Sequence, residues 1–425
     1  MRVLWITPNF LPAVSKKIGM NNTGSGGWLG AMAPQLQHAT PPIDLCVLTL
    51  YNGSHNIFFE EGGITYLLLP DEGSVFKDKR SILKNLRYAI ASLKPDLIDI
   101  QGVEFHYAKY VPAAAPGTPI AATLQGLVSE IHKHYFGNIP LAHLIRFRTL
   151  KDNLLLDGMI ERQMKYRNRG ISELEAMKKI NYFIGRTYWD RSVSFAANPR
   201  SKYYHSQRNI REEFHNRQWS RASAEAFTVF VSQAHAPFKG FHIVLEAVAI
   251  LKKRVPNLRI RVAGRDMLSK NSLDQRLRFG GYQKYIYNLI KKNNLFEMVS
   301  FIGPQSADEM ADNMSRSHVF VLSSFIENSP NSLGEAQLMG VPSIATFVGG
   351  VPEMIKHNEN GFLYNAADSA VLANLINEIF FNDNLSERIS SAARRTALCR
   401  YNSSISGNKL ASIYRSIYSD FHNMQ

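Results

Sequence analysis

The sequence predicts an α/β protein built from two doubly wound domains, and three observations carry this prediction. The chain of 425 residues is long enough for about two to three domains. In each half, short apolar runs typical of strands buried on both faces alternate with helical patterns. The chain shows no repeat of about 20 to 50 residues. We therefore expect one domain over residues 1–222 and a second over 223–404, with a C-terminal helix, 405–425, packing back on the first.

The predicted elements follow in chain order. Strands are expected at 3–6, 45–48, 65–69, 97–100, 120–124, 227–231, 258–263, 299–302, 319–322 and 343–346. Helical spacing of apolar residues predicts helices over 81–93 and 241–253, which end before Pro95 and Pro256. A glycine-rich loop at 24–27 follows the first strand. In open sheets of this kind, ligands bind at the carboxyl ends of the strands, so we expect a site in a cleft between the domains.

Composition excludes several classes of protein. The hydrophobic fraction of 45% and the charged fraction of 20% are ordinary for a packed chain, which argues against long disorder. Two cysteines, Cys46 and Cys399, cannot build a disulfide framework or a cysteine metal site, so a reducing compartment is expected. The most apolar uncharged stretch, 110–129, is broken by prolines, and residues 1–10 are too short an apolar run for a signal peptide. A cytoplasmic protein is therefore expected.

The chain is strongly basic, with a formal net charge of +14. This charge indicates a polyanionic partner: a nucleic acid, an anionic lipid surface or an anionic substrate. Residues 141–220 hold sixteen basic and eight acidic side chains. Within them, residues 144–151 interleave apolar and basic side chains, which fits either an amphipathic helix on its own domain or a patch that faces a membrane or acceptor. Both interpretations remain open.

The most informative segment lies between residues 321 and 342. A strand ends near Leu322, a loop carries Glu327, and a helix is expected to begin near Asn331–Ser332 and to end at Gly340. The free amides of a helix N-terminus bind anions, and a carboxylate on each side could accept hydroxyl hydrogen bonds from a ribose and a sugar. The alternative is structural, because Ser332 and Glu335 have the spacing of a capping box.

This segment resembles a known enzyme family. Glu327, seven residues and Glu335, followed by the Gly-Val-Pro step at 340–342, the Gly-Gly-Val-Pro-Glu run at 349–353 and Asn-Gly at 360–361, resemble family-4 retaining glycosyltransferases. Upstream, 238–240 is similar to the family's lysine-glycine step. The Gln-Gly-Leu step at 125–127 and residues 185–190 are similar to a bacterial polysaccharide-building branch. The resemblance implies a GT-B fold, in which two Rossmann-like domains face each other across a cleft.

The resemblance also implies a role for each matching residue. Glu335 would hold the ribose hydroxyls, Glu327 the hydroxyls of the donor sugar, and Lys239 the diphosphate. The remaining donor-binding positions would act through the backbone: Asn331, Ser332 and Leu333 by their amides, Gly26 and Gly27 by close approach from the N-terminal domain, and Gly350 beside the donor. For Gly350 an ordinary turn before Pro352 is the alternative.

The sequence departs from the family pattern at two positions. Ala234 stands where members usually carry an arginine, and Arg265, at a strand end, is a candidate substitute; His235 is a weaker one. Gln125 stands where a histidine often ends a strand, and an amide cannot take a proton at neutral pH. We read Gln125 as a catalytic-site position typical of the branch. On the acceptor side, His106 and Arg186 are candidates.

These residues together predict a retaining, hexosyltransferase-type enzyme. It would move a sugar from a nucleoside diphosphate sugar, with a UDP-sugar favoured, to a hydroxyl of a glycan or lipid-linked acceptor in bacterial cell-surface polysaccharide synthesis. No metal or other cofactor is expected, and the protein could lie on the inner face of the cytoplasmic membrane. Two alternatives remain: a GT-B nucleotide-sugar epimerase, and a basic nucleic-acid- or membrane-binding protein without catalysis. No nucleic-acid module is recognisable, so nucleic acid is not an expected partner.

Overall fold

The computed structural model describes residues 1–20, 27–71, 79–268 and 279–424, and the chain divides into two compact units. The first unit comprises residues 1–129, 169–211 and 401–425. The second unit comprises residues 130–168 and 212–400. Each unit contains one sheet, which confirms the predicted α/β class.

The first unit contains an eight-stranded sheet in the order β3-β4-β2-β1-β5-β6-β7-β8. Its strands are β1 (Arg2–Ile6), β2 (Asp44–Tyr51), β3 (Ile57–Glu61), β4 (Ile64–Pro70), β5 (Leu97–Gln101), β6 (Ile120–Thr123), β7 (Tyr182–Gly185) and β8 (Lys202–His205). All neighbouring pairs are parallel except β3 and β4. An antiparallel strand thus closes one edge of an otherwise parallel sheet.

The second unit contains a six-stranded parallel sheet in the order β11-β10-β9-β12-β13-β14. Its strands are β9 (Glu225–Val231), β10 (Arg259–Val262), β11 (Val299–Phe301), β12 (Ser317–Leu322), β13 (Ser343–Thr346) and β14 (Phe362–Tyr364). All six residues of β12 are buried, as a central parallel strand covered on both faces requires.

Helices flank both sheets. They are Pro12–Lys17, Gly27–Gln37, Lys79–Leu93, Val111–Ala114, Val128–Ile131, Leu141–Arg146, Leu150–Leu154, Met159–Met177, Tyr188–Ala197, Phe241–Leu251, Gly281–Lys292, Ala307–Ser315, Asn331–Met339, Ser369–Phe381, Asp383–Arg400 and Ser403–Asn423. Among the described residues, no helix combines the length and the apolar character needed to cross a bilayer.

Strand β1 shows why continuous apolar runs form the centre of these sheets. Successive side chains of a strand point to opposite faces. Val3 and Trp5 therefore belong to one hydrophobic cluster of the first unit, while Leu4 and Ile6 belong to the cluster on the other face. All four side chains are almost completely buried, so each of these four positions has to be apolar.

The C-terminal helix Ser403–Asn423 packs in the first unit through a buried polar contact. Tyr414 Oη donates to Asp99 Oδ2 at 2.6 Å and accepts from Trp5 Nε1 at 2.8 Å. Burial raises the pKa of Asp99 to about 6, and the hydrogen bonds from Tyr414 and Thr123 oppose that rise. The helix thus satisfies a carboxylate in the middle of the sheet.

The division into units differs from the predicted one at residues 130–168 and 212–222, which belong to the second unit, and at 401–404, which belong to the first. A hydrogen bond of 2.7 Å joins His242 Nε2 to the carbonyl of Gly137, and the rings of Phe147 and Tyr285 lie 5.3 Å apart. Leu144 and Phe147 are part of the second unit's hydrophobic core. Residues 130–168 therefore pack against parts of the second unit that lie far from them along the chain. The spacing of apolar residues in the sequence could not predict such contacts.

The predicted amphipathic helix over 144–151 is two helices instead of one. Leu141–Arg146 ends where Phe147 turns into the core, and Thr149 then caps Leu150–Leu154. The Thr149 hydroxyl accepts from the amide of Asp152, whose carboxylate accepts from the amide of Thr149 at 2.9 Å. This reciprocal capping box starts a new helix and breaks the predicted one.

Candidate functional site

The site of the second unit lies at the carboxyl edge of its sheet, where β9 and β12 are neighbours. A short turn, Pro237–Lys239, follows β9, and the loop with Glu327 follows β12. The amide of Phe325 donates to the carbonyl of Phe238 at 2.7 Å, and this hydrogen bond connects the two segments. Lys239 and Glu327 are thereby held at one place on the sheet edge.

Lys239 and Glu327 form an ion pair in this structure. The distance from Lys239 Nζ to Glu327 Oε1 is 2.7 Å, and the side chains are 16% and 15% exposed. The Ser324 hydroxyl donates to the same carboxylate oxygen at 2.8 Å. The carboxylate is thus oriented by two donors, while part of both side chains remains accessible to a ligand.

Two glycines allow the loops around this pair to approach closely. Gly240 has φ of 70°, and a Cβ there would lie 1.9 Å from the carbonyl oxygen of Ser323. Gly349 has φ of 51°, and a Cβ there would lie 1.9 Å from the carbonyl oxygen of Glu327. That carbonyl accepts from the amide of Gly350 at 3.1 Å. Only glycine combines this backbone conformation with such an approach.

The helix Asn331–Met339 begins as predicted and ends at Gly340, whose φ of 76° is the left-handed conformation of a helix C-cap. The capping-box alternative is wrong. Pro330 is the N-cap residue, no side chain caps the helix, and Ser332 lies inside the first turn. Glu335 is 7% exposed. Its spacing from Ser332 therefore has no capping role, and the binding of ribose hydroxyls by Glu335 stays a prediction.

The first turn of this helix carries the three amides expected to bind phosphate. The amide of Leu333 donates to the carbonyl of Pro330 at 3.2 Å. Among the residues that the structure describes, the amides of Asn331 and Ser332 donate to no protein acceptor. These two donors, together with the helix dipole, form an anion-binding arrangement.

A cavity of about 410 Å³ borders the turn that carries Lys239. Its walls include Arg162, Arg265, His235 and Pro237, with Lys151 and Tyr135 among the others. Arg265 forms no ion pair or hydrogen bond with any described residue, whereas Arg162 donates to Asp157 at 2.7 Å. Two guanidinium groups therefore line a space next to the position where Ala234 replaces the family arginine.

Sequence analysis named His235 as a candidate for the site but did not name Arg162. Partial desolvation and then the charge of Lys239 lower the pKa of His235, so its ring is neutral at pH 7. Arg162 comes from the segment 130–168, and nothing in its sequence context connected it with β9. Only the tertiary packing of that segment brings Arg162 to the same cavity as Arg265.

The candidates of the first unit lie at the carboxyl ends of three neighbouring strands. Gln125 follows β6 and donates through Nε2 to the carbonyl of Gln101, the last residue of β5, at 2.7 Å. Arg186 follows β7 and is 5% exposed, and its amide donates to Asp190 at 3.0 Å. His106 is exposed beside a small, largely apolar cavity of about 30 Å³.

The glycine loop is described only in part. Gly26 lies outside the described residues. Gly27 begins the helix Gly27–Gln37, and a Cβ there would lie 3.2 Å from Arg211 Cδ. In this structure the absence of a side chain at Gly27 therefore makes room for Arg211.

Sequence analysis did not identify two buried carboxylates of the first unit, those of Glu104 and Glu173. Burial raises the pKa of Glu104 to about 8 and that of Glu173 to about 7. Glu173 accepts from the amide of Ser129 at 2.7 Å, so it serves a structural purpose. Glu104 follows β5 by three residues, and lone acidic residues in such loops carry no signal that separates them from exposed ones.

Solved structures of other proteins share this fold over nearly the whole chain. The sucrose-phosphate synthase tll1590 of Thermosynechococcus elongatus matches with a TM-score of 0.71 at 15% identity, covering 99% of this chain and 100% of that one. Anabaena Alr3699/HepE in complex with UDP and glucose matches with a TM-score of 0.66 at 17% identity, covering 98% and 99%. The fold is GT-B, which confirms the predicted fold class.

Sequence comparison finds a family match and relatives over part of the chain. Residues 211–396 match the family described as glycosyl transferases group 1. The N-acetyl-alpha-D-glucosaminyl L-malate synthase of Bacillus anthracis is 31% identical over 135 residues, or 32% of this chain and 34% of that protein. The putative colanic acid biosynthesis glycosyltransferase WcaL of Salmonella typhimurium is 25% identical over 187 residues, 42% of each chain. The chain spans about a third to two fifths of these relatives' length.

Proposed function

We propose that this protein is a retaining glycosyltransferase that transfers a sugar from a nucleoside diphosphate sugar to an acceptor hydroxyl. The observation that carries the proposal is the arrangement of Lys239, Glu327 and the helix N-terminus at Asn331 around one point of the sheet edge. A cation, a hydroxyl-binding carboxylate and free amides are the groups that a sugar diphosphate requires. The family match supports this assignment.

The proposed reaction breaks the bond between the anomeric carbon and the diphosphate oxygen. The acceptor oxygen forms its bond to the same face of that carbon, and the acceptor proton passes to the departing phosphate oxygen. Lys239 and the amides of Asn331 and Ser332 stabilise the negative charge that develops on the diphosphate. Fixed donors of this kind each contribute about a hundredfold to a thousandfold in rate. This route assigns no proton transfer to Gln125, in agreement with its amide chemistry.

A UDP-sugar is the donor that we propose. Anabaena Alr3699/HepE, which shares the fold, has been solved in complex with UDP and with UDP-glucose. Glu335 would accept the ribose hydroxyls and Glu327 the hydroxyls of the sugar. Arg265 would add positive charge near the diphosphate in place of the arginine missing at Ala234. Gly350 would lie beside the donor.

The acceptor is proposed to be a glycan or a lipid-linked glycan of the cell surface, used on the cytoplasmic side of the membrane. The name of the Salmonella typhimurium relative refers to colanic acid synthesis, which supports a polysaccharide product. In the first unit, His106 and Arg186 are the proposed acceptor-side residues, and Gln125 is proposed as a catalytic-site residue. The relatives named above are transferases or synthases by name, which does not favour the epimerase alternative.

The test is to follow donor binding and donor consumption separately. UDP-, GDP- and ADP-sugars are first screened by thermal shift, since a ligand of the native state raises the melting temperature. UDP release from the stabilising donors is then measured in water and with a bacterial lipid extract, and the products are analysed for a new glycoside. We expect a UDP-sugar to stabilise the protein and the extract to yield an α-linked product from an α-linked donor. Conversion of the donor to an epimer, or inversion at the anomeric carbon, would contradict the proposal.

A further inference from the structure

Six large aliphatic side chains of the second unit protrude into solvent within sixteen residues. We call them the leucine face: Leu141 (64% exposed), Ile145 (58%), Leu150 (81%), Leu154 (82%), Leu155 (64%) and Leu156 (64%). Single exposed leucines are ordinary, but such a concentration on one short segment marks a surface that binds a partner or a membrane. None of these residues takes part in the proposed transfer site.

The spacing of these residues places them on the outward sides of two short helices. Leu141 and Ile145 are four positions apart in one helix, and Leu150 and Leu154 are four positions apart in the next. Side chains four residues apart lie above one another on the same helix face. Leu155 and Leu156 extend the apolar surface beyond the second helix.

The inward side of the same segment is firmly packed. Leu144 and Phe147 are almost completely buried in the core, and Asp152 is 1% exposed within its capping box with Thr149. A Cβ at Gly281 would lie 3.1 Å from both Asp152 Oδ2 and the carbonyl of Phe147. The leucine face is therefore the solvent side of an anchored segment, since the segment's other apolar residues already fill the core.

The charges around the leucine face are positive on balance. Residues 141–168 hold six lysines and arginines against three aspartates and glutamates. Two of these acidic residues form ion pairs: Glu161 with Arg148 at 2.8 Å, and Asp157 with Lys165 at 2.9 Å. Arg146, next to Ile145, and Arg167 are exposed and form no ion pair within the described ranges. Exposed aliphatic side chains, on a segment that also carries exposed arginines without ion pairs, suit a bilayer interface that carries anionic headgroups.

We infer that the leucine face docks this protein on an anionic phospholipid bilayer. The leucines enter the boundary between headgroups and acyl chains, and Arg146 and Arg167 contact phosphates. The inference deepens the proposed function, because it names the surface that would bring the enzyme to a lipid-linked acceptor. Vesicle binding needs no nucleotide sugar, so failure of this inference and failure of the transfer proposal are distinguishable.

The experiment measures sedimentation of the full-length protein with vesicles in the absence of donor. One set of vesicles contains phosphatidylcholine alone, and the other contains equal parts of phosphatidylcholine and phosphatidylglycerol. At low salt the protein is expected to bind the anionic vesicles at least about tenfold more tightly, and salt should weaken the binding. No binding to anionic vesicles at low salt would overturn the inference.

Two substituted proteins then locate the surface. The triple variant Leu150→Glu, Leu154→Glu, Leu155→Glu is expected to lose at least about tenfold in vesicle affinity. Its matched control places three glutamates at exposed aliphatic residues elsewhere in the second unit: Ile250→Glu, Val371→Glu, Leu398→Glu. The control has the same change in net charge, so it should keep more of the binding than the triple variant.

Charge reversal tests the arginines in the same way. Arg146→Glu with Arg167→Glu is compared with Lys253→Glu and Lys291→Glu, which reverse two exposed bases elsewhere in the unit. All variants are checked by circular dichroism and melting temperature, and their thermal shift with the best donor nucleotide should equal that of the parent protein.

Equal vesicle binding by a leucine-face variant and its control would overturn the inference. So would self-association of the parent protein without vesicles, detected by analytical ultracentrifugation and abolished by the leucine substitutions, because the face would then bind a second copy.

Discussion

The ammonium group of Lys239 lies 2.7 Å from Glu327 Oε1, although the two residues are 88 positions apart in the chain. Each follows a strand of the same sheet, and those strands, β9 and β12, are neighbours. A diphosphate sugar arriving at this edge would compete with Glu327 for Lys239 and free the carboxylate to accept sugar hydroxyls. The ion pair would thus keep both groups oriented before the donor binds.

Lys239→Ala and Glu327→Ala are each expected to reduce transfer by about a hundredfold to a thousandfold. Because both side chains are mostly buried, each substitution leaves the other charge without its partner, so a loss of about 1–3 kcal/mol of folding free energy is expected. The measurements are kcat for UDP release and the melting temperature. Lys356→Ala is the matched control, since Lys356 Nζ lies 3.9 Å from Glu359 Oε2 in an exposed pair of the same unit. Full activity of either site variant would remove that residue from the mechanism.

Gly349→Ala should destabilise the protein far more than Gly303→Ala. Both glycines have positive φ, 51° and 77°, but a Cβ at Gly349 would lie 1.9 Å from the carbonyl oxygen of Glu327, while nothing lies within 4 Å of one at Gly303. We expect about 1 kcal/mol for the strain of Gly303→Ala and about 3 kcal/mol or more for Gly349→Ala. Urea unfolding measures both. Equal costs would show that the loop at Gly349 can move away from Glu327.

Arg265→Ala is expected to weaken donor binding by about tenfold, the effect of losing one charge-assisted hydrogen bond. Arg265 has no partner among the described residues, so its removal should leave the melting temperature of the free protein unchanged. Arg259→Ala serves as the control, because Arg259 is exposed on β10 of the same sheet. Isothermal titration with the donor nucleotide compares them. If Arg265→Ala binds as tightly as Arg259→Ala, the charge missing at Ala234 is not supplied by Arg265.

Glu225 should make stability depend on pH in mild acid. Hydrogen bonding from Arg261, opposed by partial desolvation and aided by Arg316, lowers the pKa of Glu225. A depressed pKa means that the stabilisation is present above the unfolded-state value of about 4.3 and is lost as pH falls through the folded-state pKa. Glu225→Gln should therefore cost about 1 kcal/mol of unfolding free energy at pH 7 and nothing in stronger acid. Urea unfolding from pH 7 to pH 3 measures this difference.

The control for this titration is Glu297→Gln. Glu297 is exposed in the same unit, so its substitution should leave the unfolding free energy nearly constant across the range. A pH-independent difference between Glu225→Gln and the parent protein would contradict the role of Arg261.

Most strands that the sequence predicted carry continuous apolar runs, whereas β10 alternates basic and apolar residues. The predicted strand at 319–322, for example, lies within β12, where every side chain is buried. Two of the strands that it missed carry weak patterns: β3 has only partly exposed or exposed residues, and β8, Lys-Tyr-Tyr-His, has none that is buried. It also missed β7, although all four of its residues are buried, and the three-residue strand β14. Edge strands need not be apolar, since one side faces solvent, and so they leave little trace in the sequence.

In the candidate site, too, some features could be predicted from the local sequence and others could not. Glu327, the helix start at Asn331 and Gly340 lie in one short stretch of chain, so their order along strand, loop and helix could be read from residue types. Whether Glu335 was a cap could not be decided this way. Its spacing from Ser332 satisfies the capping rule, and only the backbone shows that Pro330 occupies the N-cap.

By itself, the sequence determined the α/β class, the central strands and the chemical character of the loop after β12, because these depend on local periodicity and on residue types within one turn or strand. Tertiary structure alone decided that residues 130–168 pack in the second unit, that Arg162 and Arg265 line one cavity, and that Lys239 meets Glu327. These are contacts between residues far apart in the chain. They arise from strand order and from which apolar faces find a partner, neither of which local periodicity encodes.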